Sequence, residues 1–66
     1  MKNLFDLVGK RVRLTDIDGN IWQGKVDLFD YADENENGED SIAILCDGDS
    51  KLIEFYESEI KEVENL

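Results

Sequence analysis

The 66-residue chain contains no histidine, no proline and only one cysteine, Cys46. Without histidine it lacks the side chain that ordinarily titrates near neutral pH, and with it the usual general base and the commonest neutral metal ligand. A single cysteine can form neither an intrachain disulfide nor a structural zinc site. There is no Ser/His/Asp set and no glycine-rich phosphate loop leading into a helix. No apolar run approaches the roughly 20 residues of a membrane span, and Asp6 interrupts the N-terminus before a secretory h-region can form. A free thiol with no export signal predicts a cytoplasmic protein. These absences predict a non-enzymatic chain with no cofactor, no metal, no small-molecule substrate and no membrane association.

Basic side chains are also scarce: seven Lys and Arg stand against seventeen Asp and Glu, a net charge of −10. The imbalance is uneven. Residues 1–26 hold five basic and three acidic side chains, whereas residues 27–66 hold two basic and fourteen acidic ones. An acidic field of that density repels phosphate backbones over a Debye length of about 8 Å at physiological salt. Only the local patch Lys10, Arg11 and Arg13 can attract nucleic acid. Size sets a second limit. A chain this short buries only about 60% of its unfolded surface, and with disulfides and metals excluded the remaining support is self-association.

What is present reads as short strands separated by turns, within one domain spanning residues 1–66. Asn3 to Gly9 reads as one or two helical turns, Asn3 capping free N–H groups and Gly9 stopping the helix. Leu4, Leu7 and Val8 share one face of it, and Leu4 and Leu7 are expected to cover the open end of a core. From Lys10 the period becomes two. In Arg11–Thr15, Val12 and Leu14 point one way and the two arginines the other. Asp16–Asn20 forms a hairpin turn around Gly19. A ten-residue strand, Ile21–Asp30, follows, with Trp22, Gly24, Val26 and Leu28 on one face. Gly24 in mid-strand predicts a sharp bend of the kind a small barrel requires. Residues 31–40 are an acidic exposed loop. Ser41–Cys46 is a nearly continuous apolar strand, Asp47–Ser50 a second hairpin turn, Lys51–Tyr56 a strand, Glu57–Glu59 a 3₁₀ turn and Ile60–Val63 a short last strand. The fold class expected is all-β with a short N-terminal helical turn (residues 1–9) and a five-stranded, strongly bent small barrel (residues 10–63).

Within residues 4–30 the order of these features resembles the first motif of the Sm-like family, a branch of the SH3-like small barrels. The segment Gly9-Lys10-Arg11-Val12-Arg13-Leu14 matches its G-x-x-V-x-L strand, Asp18-Gly19 its turn, and Gly24-Lys25-Val26 through Asp30 its G-x-h-x-x-x-D strand, where h is apolar. Residues 41–63 match only in strand count and spacing. The resemblance implies a barrel that assembles through its fourth and fifth strands, the fourth of one subunit pairing with the fifth of the next. Ile53, Phe55, Ile60 and Val63 are the residues placed at such an edge. It also implies RNA binding, but the residues for it are missing. Asp30 is followed by Tyr31-Ala32-Asp33 rather than by an apolar residue and an asparagine. Where the family carries Arg-Gly, this chain has Ile53-Glu54-Phe55-Tyr56-Glu57-Ser58.

Three readings of the surface follow. The first is a protein-binding or self-associating module using the strand edges, with Tyr31 and Tyr56 beside loops as exposed contacts. The second is an RNA binder acting through Lys10, Arg11 and Arg13, residues that can equally pair with acids on a neighbouring strand. The third is an acidic mimic of nucleic acid that occupies a basic protein. Trp22 is expected in the core and Cys46 as a small buried hydrophobe. Asp16-Ile17-Asp18-Gly19-Asn20 resembles part of a calcium loop. However, Leu14 and Lys25 stand where such a loop needs an acid and its bidentate glutamate, so it is read as a turn.

Overall fold

A computed structural model describes residues 3–66. The chain runs through a 3₁₀ turn at Leu4–Leu7, β1 (Arg11–Asp16), β2 (Ile21–Asp30), a second 3₁₀ turn at Ala32–Glu34, β3 (Ser41–Cys46), β4 (Leu52–Tyr56), a third 3₁₀ turn at Glu57–Glu59, and β5 (Ile60–Asn65). All five strands belong to one antiparallel sheet in the order β4-β3-β2-β1-β5. The all-β class and the strand order along the chain are as the sequence predicts. The N-terminal helical turn is a single four-residue 3₁₀ turn, and the last strand runs on past Val63 to Asn65.

Connection lengths force the sheet to curl. Four residue steps lead from Tyr56 to Ile60, a reach of at most about 14 Å. In a flat sheet of this order β4 and β5 would lie roughly 19 Å apart, at about 4.8 Å per strand. The two ends of the sheet therefore bend towards each other. Phe55 from β4 and Ile60 from β5, each 5% exposed, enter the same core as Val12, Leu14, Val26, Ile42 and Ile44.

The bend centres on β2. Gly24 pairs with Val12 on one side and Cys46 on the other. A Cβ at Gly24 would be driven into the carbonyl oxygen of Leu45, with the Leu45 carbonyl carbon at 2.8 Å and the Cys46 Cα at 3.0 Å. Only glycine permits that approach of β3.

A bulge follows. Val26 pairs with Ile44 but Leu28 pairs with Ala43, so Asp27 is an extra residue with no partner of its own. One unpaired residue reverses the alternation beyond it. Leu28, expected on the core face with Trp22, Gly24 and Val26, is instead 51% exposed, and Phe29 packs against the core. A second irregularity lies in β5: Thr15 pairs with Glu62 and Asp16 with Ile60, leaving Lys61 extra.

The N-terminal turn closes one end of the core through buried Leu4 and Leu7, and Asn3 Oδ1 accepts from the Phe5 N–H at 3.0 Å. Val8 does not join that face and is exposed. A 3₁₀ turn has three residues per turn, which breaks the i, i+4 relation of Leu4 with Val8. Gly9, at φ +84°, then redirects the chain, and its N–H donates to Val26 O at 2.8 Å.

Candidate functional site

The cationic patch exists as a placement, but its arginines are engaged. Arg11 and Arg13 lie on the outer face of β1, as alternation predicts. Asp47, in the β3–β4 turn, is held against β2 by its own N–H, which donates to Gln23 O at 2.9 Å. From there its carboxylate takes the Arg11 guanidinium in a two-point contact, Nη1 to Oδ1 at 3.0 Å and Nη2 to Oδ2 at 2.6 Å. Gln23 Nε2 donates to the same carboxylate at 3.3 Å. The Arg11 guanidinium holds the Asp47 carboxyl below the usual carboxylate range, and Asp47 in turn raises the Arg11 pKa. Arg13 reaches across to β5 and donates to Glu64 Oε1 at 3.0 Å. Lys10 is exposed beside them.

The residues placed at the strand edges divide by burial. Phe55 and Ile60 point into the core, correcting the expectation that their side chains lie on an interaction surface. Ile53 and Val63 are half-buried against the same core, and Tyr56 is half-buried where β4 enters the third 3₁₀ turn. The curl explains this: an edge strand of a closed-up sheet points one set of side chains inward, so its free surface is backbone and the outward set. On that outer face Leu45 stands opposite Leu52 and Leu28 opposite Ala43, and all three leucines are exposed. Among the described residues, β4 pairs only with β3 and β5 only with β1, so each leaves one backbone edge without a strand partner.

The acidic loop, residues 31–40, is mostly exposed, as its composition predicts, and is fastened by polar contacts. Asp40 Oδ1 accepts from the Ala32 N–H at 2.8 Å, closing the loop on itself. Asn35 Nδ2 donates to Glu39 O at 2.7 Å and to Ser41 Oγ at 3.0 Å, and the buried Ser41 hydroxyl donates to Glu54 Oε2 at 3.0 Å. Glu39 crosses to the third 3₁₀ turn, where it accepts from the Ser58 N–H at 2.7 Å and the Ser58 hydroxyl at 3.0 Å. The Glu54 carboxylate foremost, then burial, with smaller contributions from Glu59 and Glu36, pushes the Tyr56 phenol pKa up.

Two arrangements were not singled out from the sequence. Asp16, at the end of β1, is buried beneath its own turn. Its Oδ1 accepts from the N–H groups of Asp18 and Asn20, both at 2.9 Å, and its Oδ2 from Trp22 Nε1 at 2.9 Å. The indole hydrogen bond, with the backbone donors behind it, holds the Asp16 carboxyl below its ordinary range against the opposing effect of burial. Trp22 is half-buried, with its ring centroid 5.6 Å from that of Phe55. An aspartate two residues before Asp-Gly is the signature of a side chain that closes its own turn, so this one was legible in principle.

The second is aromatic. Phe5, Phe29 and Tyr31 meet where the first 3₁₀ turn lies beside the end of β2, with centroid separations of 5.5 Å for Phe5–Phe29, 4.9 Å for Phe29–Tyr31 and 6.4 Å for Phe5–Tyr31. Of the three only Tyr31 is marked by sequence, because Phe29 reaches the cluster through the bulge at Asp27.

Burial and the nearby Asp47 and Asp49 raise the Cys46 thiol pKa, which keeps it protonated and unreactive at neutral pH. Among the described residues no three His, Cys, Asp or Glu side chains converge as metal ligands, and no helix is long and apolar enough to cross a membrane. Comparison with family models, curated proteins and solved structures finds no match for this chain.

Proposed function

We propose that this chain is a non-enzymatic interaction module of the Sm-like kind, acting in a reducing cytosol and assembling through the free edges of β4 and β5, with another copy of itself as the first partner. The carrying observation is that the sheet ends in two strands, each with one unpaired backbone edge, brought near each other by the curl. Such an edge is a template for a further strand. The motif resemblance over residues 4–30 and the marginal size of a 66-residue core support the same reading. Exposed Leu52 and Leu45 beside the β4 edge supply apolar area to an added strand.

RNA binding is the weaker alternative. The guanidiniums it would use already meet Asp47 and Glu64, and phosphate would have to displace both. An acidic surface of net charge −10 favours a basic protein over a nucleic acid as a heterologous partner.

Light scattering coupled to size exclusion at high micromolar concentration tests assembly. The wild type is expected to run as an oligomer and Leu52→Glu, a change at an exposed position, as a folded monomer. A wild type that stays monomeric at every concentration, with no protein recovered alongside it, overturns the proposal.

A further inference from the structure

Phe5, Phe29 and Tyr31 form one aromatic cluster that reaches the surface. The Phe5 and Tyr31 rings are near-parallel, 19° apart, and Phe29 stands across both at 82° and 88°. Rings that serve only the core are buried, yet Phe5 is 51% and Tyr31 55% exposed. The faces of aromatic rings carry negative potential and attract cations. The centroids are 4.9, 5.5 and 6.4 Å apart, the spacing of rings packed against one another, so a cation meets the cluster from its solvent side, on the exposed Phe5 and Tyr31.

The surroundings select the same sign of charge. Glu34 Oε1 accepts from the Tyr31 N–H at 3.3 Å and Asp40 Oδ1 from the neighbouring Ala32 N–H at 2.8 Å, which fixes two carboxylates at the base of Tyr31. Exposed Asp6 and Asp33 follow Phe5 and Ala32 in the chain. A phosphate-bearing ligand is repelled here, and a neutral apolar one makes no use of the acids. Between the two common cations, guanidinium is flat, weakly hydrated and able to lie against a ring, whereas ammonium holds its water more tightly.

We propose that an arginine side chain from a basic segment of another protein stacks on the exposed rings of the Phe5–Phe29–Tyr31 cluster. The inference rests on the reading of the chain as an interaction module, but it uses none of the residues of the strand edges. The test is titration of the full chain with a short peptide alternating arginine and glycine, and with the same peptide carrying citrulline, which keeps the shape and removes the charge. Calorimetry gives affinity, and NMR gives the ring signals. The arginine peptide is expected to move the Phe5, Phe29 and Tyr31 signals and to bind at least about tenfold more tightly than the citrulline peptide. Phe5→Ala and Tyr31→Ala, both at exposed positions, are each expected to weaken binding about two- to fivefold while the remaining NMR spectrum stays that of a folded chain. Leu52→Glu is expected to leave the affinity unchanged, which separates this site from edge assembly. Equal binding of the citrulline peptide, or arginine binding indifferent to both alanine variants, overturns the proposal. So does a single-stranded RNA that moves the same ring signals.

Discussion

At Gly24 and Asp16 single residues decide local backbone paths. The Leu45 carbonyl occupies the space a methyl group would need at Gly24, and the obstacle is backbone in a paired strand, so it cannot rotate away. Gly24→Ala is therefore expected to cost roughly 2–4 kcal/mol, measured by urea denaturation, with a further loss for Gly24→Val. Wild-type stability in the Ala variant would mean that β3 can retreat without cost. Asp16 predicts a pH effect of known sign. Its carboxyl is held below the ordinary range by Trp22 and two backbone donors. The stabilisation it provides is thus complete above its unfolded value of about 3.9 and is lost as pH falls through the lower folded value. Protonation of the many surface carboxylates works the other way by relieving repulsion, so the informative quantity is a difference. Melting of the wild type relative to Asp16→Asn should show the wild-type advantage at neutral pH shrinking on acidification below about pH 4. An advantage that does not change with pH would show that the charge on Asp16 is immaterial.

Among the elements, alternation made β1 and most of β2 legible, since Arg11, Arg13 and the Val12/Leu14 pair lie as period two requires. The face of Leu28 was illegible for a physical reason. A bulge is set by how β2 meets β3, and nothing local to Asp27 reports that pairing. The acidic loop is mostly exposed, as it reads, but Asn35, Glu39 and Asp40 fasten it by polar contacts that hydropathy does not register. The Glu39–Ser58 contact, beside the Glu57 N–H donating to Asp40 O at 3.0 Å, joins this loop to the third 3₁₀ turn and so braces the short link between the two edge strands. Glu39→Ala should remove a charge-assisted cap worth about 1 kcal/mol and speed amide exchange at Ser58 while leaving β1 and β2 protected. Unchanged exchange at Ser58 would mean that the turn holds its shape unaided.

Over the whole molecule, composition shows which side chains are scarce and says little of what the chain contacts. The missing histidine and the lone Cys46 are read directly, but the aromatic cluster and the free edges arise only from the curl and the bulge. Charge links the two proposals and gives them opposite salt responses. Each copy carries −10, so edge-to-edge assembly brings like charges together, whereas an arginine-bearing partner is drawn in. Raising salt from 0.1 M to 1 M shortens the Debye length from about 10 Å to about 3 Å and screens both effects. Self-association and the melting temperature should therefore rise with salt, and affinity for the arginine peptide should fall. A common sign for assembly and peptide binding would show that they share one surface or one driving force. Assembly that weakens with salt would show that it rests on ion pairs between copies rather than on strand pairing against a mutual repulsion.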